Sequence, residues 1–183
     1  MIEQLRSWPN QLTMLRLLFV PFATIAIVEQ RFHAALAILL IAGLTDALDG
    51  MLARWLQQRT RLGQYLDPIA DKLLLSTMFL VLSATGHIPW RITILVFTRD
   101  VGILLVAAVL YITTSIKEYP PSIFGKANTV AQVVTVLLVL LDAISIHPWV
   151  TQAKLAGFWL VAALTTLSAL HYILLMGRRL RVV

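Results

Sequence analysis

The sequence predicts an all-α protein: a bundle of six membrane-spanning helices with a short interfacial helix at the N-terminus, one domain over residues 1–183. Three observations carry this. Of 183 residues, 59% are hydrophobic and 13% charged, with a mean hydropathy of +0.83; an average soluble domain carries roughly 25% charged residues. Apolar runs recur at the length that a hydrocarbon core of about 30 Å requires at about 1.5 Å rise per residue. The connections between the runs are short, which leaves no room for a separate soluble domain.

Taken in order, the start "MIEQLRSWPN" has no apolar core of a signal peptide and no small-residue cleavage site. Before Pro9 it reads as the interfacial helix, with Leu5 and Trp8 toward lipid and Glu3 and Arg6 toward water. The six spans are predicted over residues 12–29, 33–56, 67–86, 89–113, 125–145 and 153–176. The Pro-rich break "KEYPPSI" at 117–123 separates the fourth from the fifth. Trp8, Trp90, Trp149 and Trp159 fall near span ends, as an aromatic belt does.

Lysine and arginine placement orients the bundle. One side collects Arg6, Arg59, Arg61, Lys117, Arg178, Arg179 and Arg181, while the other holds Arg31, Arg91 and Lys154. Both termini therefore face the cytoplasm or an equivalent inner compartment, in a bacterial or mitochondrial inner membrane. The net charge of +6 suits anionic headgroups, and its scatter among the spans argues against nucleic acid. Absent cysteine excludes disulfides and thiolate chemistry.

The stretch "TDALDGMLARWLQQRTRLGQYLDPIADK" (45–72) breaks the apolar pattern with Asp46, Asp49, Asp67 and Asp71. An aspartate at the centre of a spanning helix costs roughly 2.5–3.5 kcal/mol. Asp46, Asp49, Gly50 and Ala53 follow i, i+3, i+4, i+7 on one face near the end of span two. Asp67 and Asp71 share a face at the start of span three, with Pro68 at a helix N-terminal position. An antiparallel hairpin would bring both pairs to one depth. Four converging carboxylates call for divalent cations, and oxygen-only ligands favour Mg²⁺ or Mn²⁺. Arg54 and the connection "QQRTRLG" add the positive charge a phosphate substrate requires. Spacing alone leaves three readings open: phosphoryl or phosphatidyl transfer, an ion-coupled transporter, and a structural salt-bridge cluster.

Written out, the stretch is Asp46-x₂-Asp49-Gly50-x₂-Ala53-Arg54-x₈-Gly63-x₃-Asp67-x₃-Asp71. It resembles the signature of the CDP-alcohol phosphotransferases at every fixed position. The resemblance implies a six-helix membrane enzyme, commonly a homodimer, that transfers a phosphatidyl-type group from a CDP-linked donor to an alcohol and releases CMP. It implies two divalent ions held by Asp46, Asp49, Asp67 and Asp71, with Asp71 also the catalytic base. Gly50, Ala53, Arg54, Thr60 and Gly63 would line the CDP pocket.

Three further stretches bear on the acceptor. "PNQLTMLRLLFVP" (9–21), with Asn10, Thr13 and Arg16, resembles the branch that makes phosphatidylglycerophosphate and cardiolipin. "TRDVGILLVAAVLY" (98–111) carries Arg99-Asp100, with Ala107 where the glycerol-phosphate enzymes typically have a second arginine. "SIFGKANTVAQ" (122–132) keeps Lys126 but has Asn128 where those enzymes often have a second lysine. Two fewer cations suit a phosphodiester headgroup better than a phosphomonoester. The expected reaction is therefore phosphatidyl transfer from CDP-diacylglycerol to phosphatidylglycerol, the alternative acceptor being glycerol 3-phosphate. Arg99, Lys126 and Arg16 are the candidate contacts to acceptor or lipid phosphate. Gln132 reads as an interhelical hydrogen bond, His171 as a satisfied packing residue, and His33, His87 and His147 as interfacial.

Overall fold

The computed structural model describes residues 8–55, 61–113, 123–145 and 147–180. They form six α-helices: α1 (Trp8–Val28), α2 (Phe32–Trp55), α3 (Arg61–Ala84), α4 (Trp90–Thr113), α5 (Ile123–Ile144) and α6 (Pro148–Leu180). No strand occurs among the described residues. The expected interfacial helix over the first residues lies outside them. Two helical stretches, Ile123–Ile144 and Pro148–Tyr172, are long and apolar enough to cross a membrane. Shorter apolar helical stretches run over Met14–Val28, Phe32–Thr45 and Lys72–Ala84.

Two helices depart from expectation. α3 begins at Arg61 rather than residue 67, so Asp67 and Pro68 lie inside it and not at its start. The polar turn Arg61–Tyr65 extends the helix past the apolar run that hydropathy detects. Pro68 interrupts the hydrogen-bond ladder without ending it; its missing N–H leaves the carbonyl four residues back, on Gln64, without its usual donor. α6 is 33 residues long, beyond the predicted 153–176 at both ends. His147 C=O accepts from Val150 N (2.9 Å) and Thr151 N (3.1 Å), closing its first turn.

The chain forms two compact units, one of Met1–His87 with Ala143–Ser145, the other of Ile88–Asp142 with Ile146–Val183. In the first, α1 packs against both α2 and α3. Small residues permit this: Ala23 and Ala26 on α1 and Ala35 and Ala42 on α2 are buried, while Met78, Phe79 and Leu82 fill the space from α3. Two helix ends share one device. Arg31 N bonds Ala26 O (2.7 Å) and Gln30 N bonds Ile27 O, with Gln30 at φ 58°. His87 N bonds Leu82 O (2.8 Å) and Gly86 N bonds Ser83 O, with Gly86 at φ 80°. Both are the left-handed C-cap that satisfies the last carbonyls. Glycine takes it without strain, whereas Gln30 bears the Cβ cost. The His87 ring then meets Phe32 edge-on at 4.9 Å between centroids, tying the start of α2 to the end of α3.

In the second unit α5 and α6 run as an antiparallel hairpin with constant register. From the turn outward, the Asp142 carboxylate accepts from Lys154 Nζ and Thr151 Oγ1, Thr135 abuts Gly157, Thr165 Oγ1 donates to Asn128 Oδ1 (3.1 Å), and Phe124 meets His171 (5.2 Å). α4 packs along α6. Gly157 sets the closest approach, since a Cβ there would lie 2.8 Å from Thr135 Oγ1 and 3.4 Å from its Cγ2. Thr135 has no easy retreat, because its side chain is β-branched and Oγ1 donates to Ala131 O at 2.7 Å.

Gly157→Ala should therefore destabilise the protein by about 1–3 kcal/mol through overpacking. Thermal unfolding in detergent should register the loss, and Thr135→Ala in the same chain should recover most of it.

Candidate active site

The four aspartates fall on two helices of the first unit, Asp46 and Asp49 in the last turns of α2, Asp67 and Asp71 in the second and third turns of α3. The structure gives their backbone placement, and register places them on definite faces. On α2 the buried Ala35 and Ala42 recur at a spacing of seven; Asp46 and Asp49 follow Ala42 by four and seven and continue that face. On α3, Asp67 and Asp71 precede the buried Leu74 and Met78 by seven each. Both pairs thus prolong the faces that bury the core of this unit.

Depth follows from the Phe32–His87 contact. Asp46 lies 14 residues beyond Phe32, and Asp71 lies 13 residues before Ala84. At about 1.5 Å rise per residue, each is roughly 20 Å from that common end. Arg16 on α1 lies 12 residues before Val28, or roughly 18 Å by the same rise. It is 4% exposed, on the same face of α1 as the buried Ala23 and Ile27. Register therefore sets Arg16 on a level with the aspartates.

The donor set fits divalent metal: four carboxylates, all hard oxygen ligands, suit Mg²⁺ or Mn²⁺ rather than softer ions. Gly50, Ala53 and Arg54 belong to the same last turns of α2, and Gly63 to the first turn of α3. Thr60 lies outside the described residues.

The remaining two candidates are in the second unit. Lys126, in the first turn of α5, is exposed. The Arg99 side chain, 8% exposed, spends its fork on two neighbours: Nη1 donates to Asp100 Oδ1 at 2.6 Å, while Nη2 (2.7 Å) and Nε (3.3 Å) donate to Ser168 Oγ. Three of five guanidinium N–H groups are so engaged, and its charge is offset by a carboxylate 10% exposed.

Sequence reasoning underrated the residues around this pair. Asn128 is fully buried, and its Nδ2 has no hydrogen-bond partner; Gln132, 3% exposed, has an equally unpartnered Nε2. His171, read as a satisfied packing residue, instead has a buried Nδ1 without a partner, its ring against Phe124. A buried donor left unsatisfied costs about 1–3 kcal/mol. The discoverable signal was the spacing of Thr165, Ser168 and His171, three polar residues three apart in an apolar helix.

A family model described as CDP-alcohol phosphatidyltransferase matches residues 6–174. Cardiolipin synthase (CMP-forming) from Homo sapiens is 33% identical over 189 residues, covering 93% of this chain and 62% of that protein. The CDP-diacylglycerol–glycerol-3-phosphate 3-phosphatidyltransferase of Escherichia coli K12 is 31% identical over 172 residues, covering 90% and 92%. A probable phosphatidylglycerophosphate synthase of Mycobacterium tuberculosis H37Rv is 36% identical over 138 residues, covering 72% and 65%. The chain spans about three fifths of the length of the human and rat cardiolipin synthases, 62% and 61%.

Removing one partner of a buried pair strands the other charge, a loss of about 3–5 kcal/mol. Asp100→Asn should accordingly destabilise the protein strongly, and the double replacement Arg99→Met with Asp100→Leu should be the more stable of the two. Melting temperatures of the purified variants compare them directly.

Proposed function

The chain belongs to the CDP-alcohol phosphatidyltransferase family, and from that premise we propose that it is a cardiolipin synthase, transferring a phosphatidyl group from CDP-diacylglycerol to phosphatidylglycerol with release of CMP. The observation that carries the proposal is the complete four-aspartate pattern of the sequence, with Asp46 and Asp49 in the last turns of α2 and Asp67 and Asp71 in the early turns of α3.

In this reading Asp46, Asp49, Asp67 and Asp71 hold two Mg²⁺ or Mn²⁺ ions. When bound, these supply the positive charge that stabilises the diphosphate in the transition state. The protein's own groups do the rest. The Asp71 carboxylate takes the proton from the acceptor hydroxyl. The freed oxygen forms a bond to the phosphorus carrying diacylglycerol, and the bond from that phosphorus to the bridging oxygen breaks, so CMP leaves with the electron pair. Arg54 offsets the charge on the leaving phosphate. Gly50, Ala53, Thr60 and Gly63 admit the nucleotide, small residues allowing its close approach to the backbone. No covalent enzyme intermediate is needed.

Arg16 and Lys126 provide positive charge for lipid or acceptor phosphate. Arg99, tied to Asp100 and Ser168, contributes through the N–H groups those bonds leave over. With Arg99 paired to Asp100 and Ala107 and Asn128 uncharged, the acceptor side carries fewer cations than a phosphomonoester favours. All six helices are read as membrane spans, and exposed apolar side chains such as Leu44, Ile123 and Trp159, 64%, 83% and 75% exposed, support an apolar surround for α2, α5 and α6. We assign the protein to a bacterial or mitochondrial inner membrane, active site and termini on the inner side, as a homodimer acting over residues 1–183.

Purified protein should release CMP from CDP-diacylglycerol only with Mg²⁺ or Mn²⁺, and chelation should stop it. Offered phosphatidylglycerol and glycerol 3-phosphate together, it should make cardiolipin; phosphatidylglycerophosphate as the main product would replace the acceptor and leave the chemistry intact. Asp71→Asn should retain CDP-diacylglycerol binding and lose turnover, and an active variant would remove Asp71 as the base.

A further inference from the structure

Pro68 stands inside α3, and the helix continues past it to Ala84. A proline there lacks the N–H that would bond the Gln64 carbonyl, and its ring pushes that carbonyl aside. The released oxygen needs another partner, because a main-chain acceptor away from water is costly to leave unsatisfied. A serine or threonine hydroxyl on the same helix is a common rescue. α3 has neither residue before Ser76.

The position of that oxygen is informative. Gln64, Asp67 and Asp71 follow i, i+3, i+7 and share one face of α3. A helical carbonyl points along the axis toward the residue four ahead. The Gln64 oxygen is therefore directed at the level of residue 68, past Asp67 and short of Asp71. α1 supplies a contrast: Pro21 is also inside its helix and takes the usual donor from the Leu17 carbonyl, but α1 contains no aspartate or glutamate.

Mg²⁺ and Mn²⁺ accept oxygen from carboxylate, carbonyl and water alike. Two octahedral ions have about twelve positions, and the carboxylates of Asp46, Asp49, Asp67 and Asp71 supply at most two oxygens each. Those four charges already balance two divalent ions, so a further ligand is best neutral. A main-chain carbonyl is neutral, hard and held in place by its helix. Carbonyls freed from helical bonding serve cations in this way inside membrane proteins.

We propose that Pro68 releases the Gln64 main-chain carbonyl as a further, neutral oxygen ligand for a divalent ion at the aspartate site. This rests on the metal reading above and adds to it a ligand that no side chain supplies.

The test is Mn²⁺ binding to the full chain in detergent, without substrate, followed by electron paramagnetic resonance of the free ion. Pro68→Ala restores the N–H, which engages the Gln64 carbonyl and withdraws it from the ion. Its Kd for Mn²⁺ should rise roughly tenfold, the scale on which metal affinity responds to the loss of a supporting group. Metal-free Pro68→Ala should melt above the parent, having gained a hydrogen bond and lost a helix breaker. Lactic acid at position 68, introduced by nonsense suppression, removes the ring and still brings no N–H; this variant should bind Mn²⁺ as the parent does. Pro21→Ala repairs the other interior break and should leave the Kd unchanged. An unchanged Kd in Pro68→Ala overturns the proposal. Equal weakening in the lactic acid variant also overturns it, because the ring and its kink then account for the effect. Equal weakening by Pro21→Ala overturns it as well, since straightening either helix then suffices. A parent that binds no Mn²⁺ is a different failure: the metal reading itself falls, and this ligand with it.

Discussion

The contact of Phe32 with His87 is the point on which the candidate active site depends. Neither residue is near the chemistry. Their rings join the first residue of α2 to the turn after α3, and so set where each helix begins its run toward the aspartates. From that common end the rise per residue carries Asp46, Asp71 and Arg16 to one level. The turn chemistry serves the same register, since the left-handed caps at Gln30 and Gly86 are where α1 and α3 stop. A slip of one residue at either cap would turn the adjoining helix, with the residues it carries, by about 100°.

That dependence explains why the first unit is packed with alanine. α1 lies against both α2 and α3, and Ala23, Ala26, Ala35 and Ala42 let it do so closely. The larger side chains, Met78, Phe79 and Leu82, come from α3. The core is thus continuous with the carboxylate faces: the residues that bury apolar surface toward one end give way to Asp and Arg toward the other.

The second unit solves a different problem. Its helices carry hydroxyls, amides and ion pairs, and some of these bond across the interfaces, Thr165 to Asn128 and Arg99 to Ser168, while Asp100 pairs with Arg99 along α4 itself. Gly157 against Thr135 fixes how near α5 and α6 can come. Against that background the unpartnered nitrogens of Asn128, Gln132 and His171 are the exceptions, and they fall together along one seam.

Much of this was legible in the chain alone. Long apolar runs predicted an all-helical protein, and they bounded α1, α2, α4 and α5 to within a few residues. Spacing predicted one helical face for each aspartate pair, because helical periodicity is local. The polar start of α3 escaped, since hydropathy sees the apolar run and not the polar turn that extends the helix before it. What only the tertiary structure decided was pairing across the chain. That Arg99 is occupied by Ser168, 69 residues away, that Arg16 is buried on the aspartates' level, and that Asn128 and Gln132 are left with donors unused all depend on which helix faces which. No local rule carries that information, because a donor's satisfaction is a property of its neighbours in space.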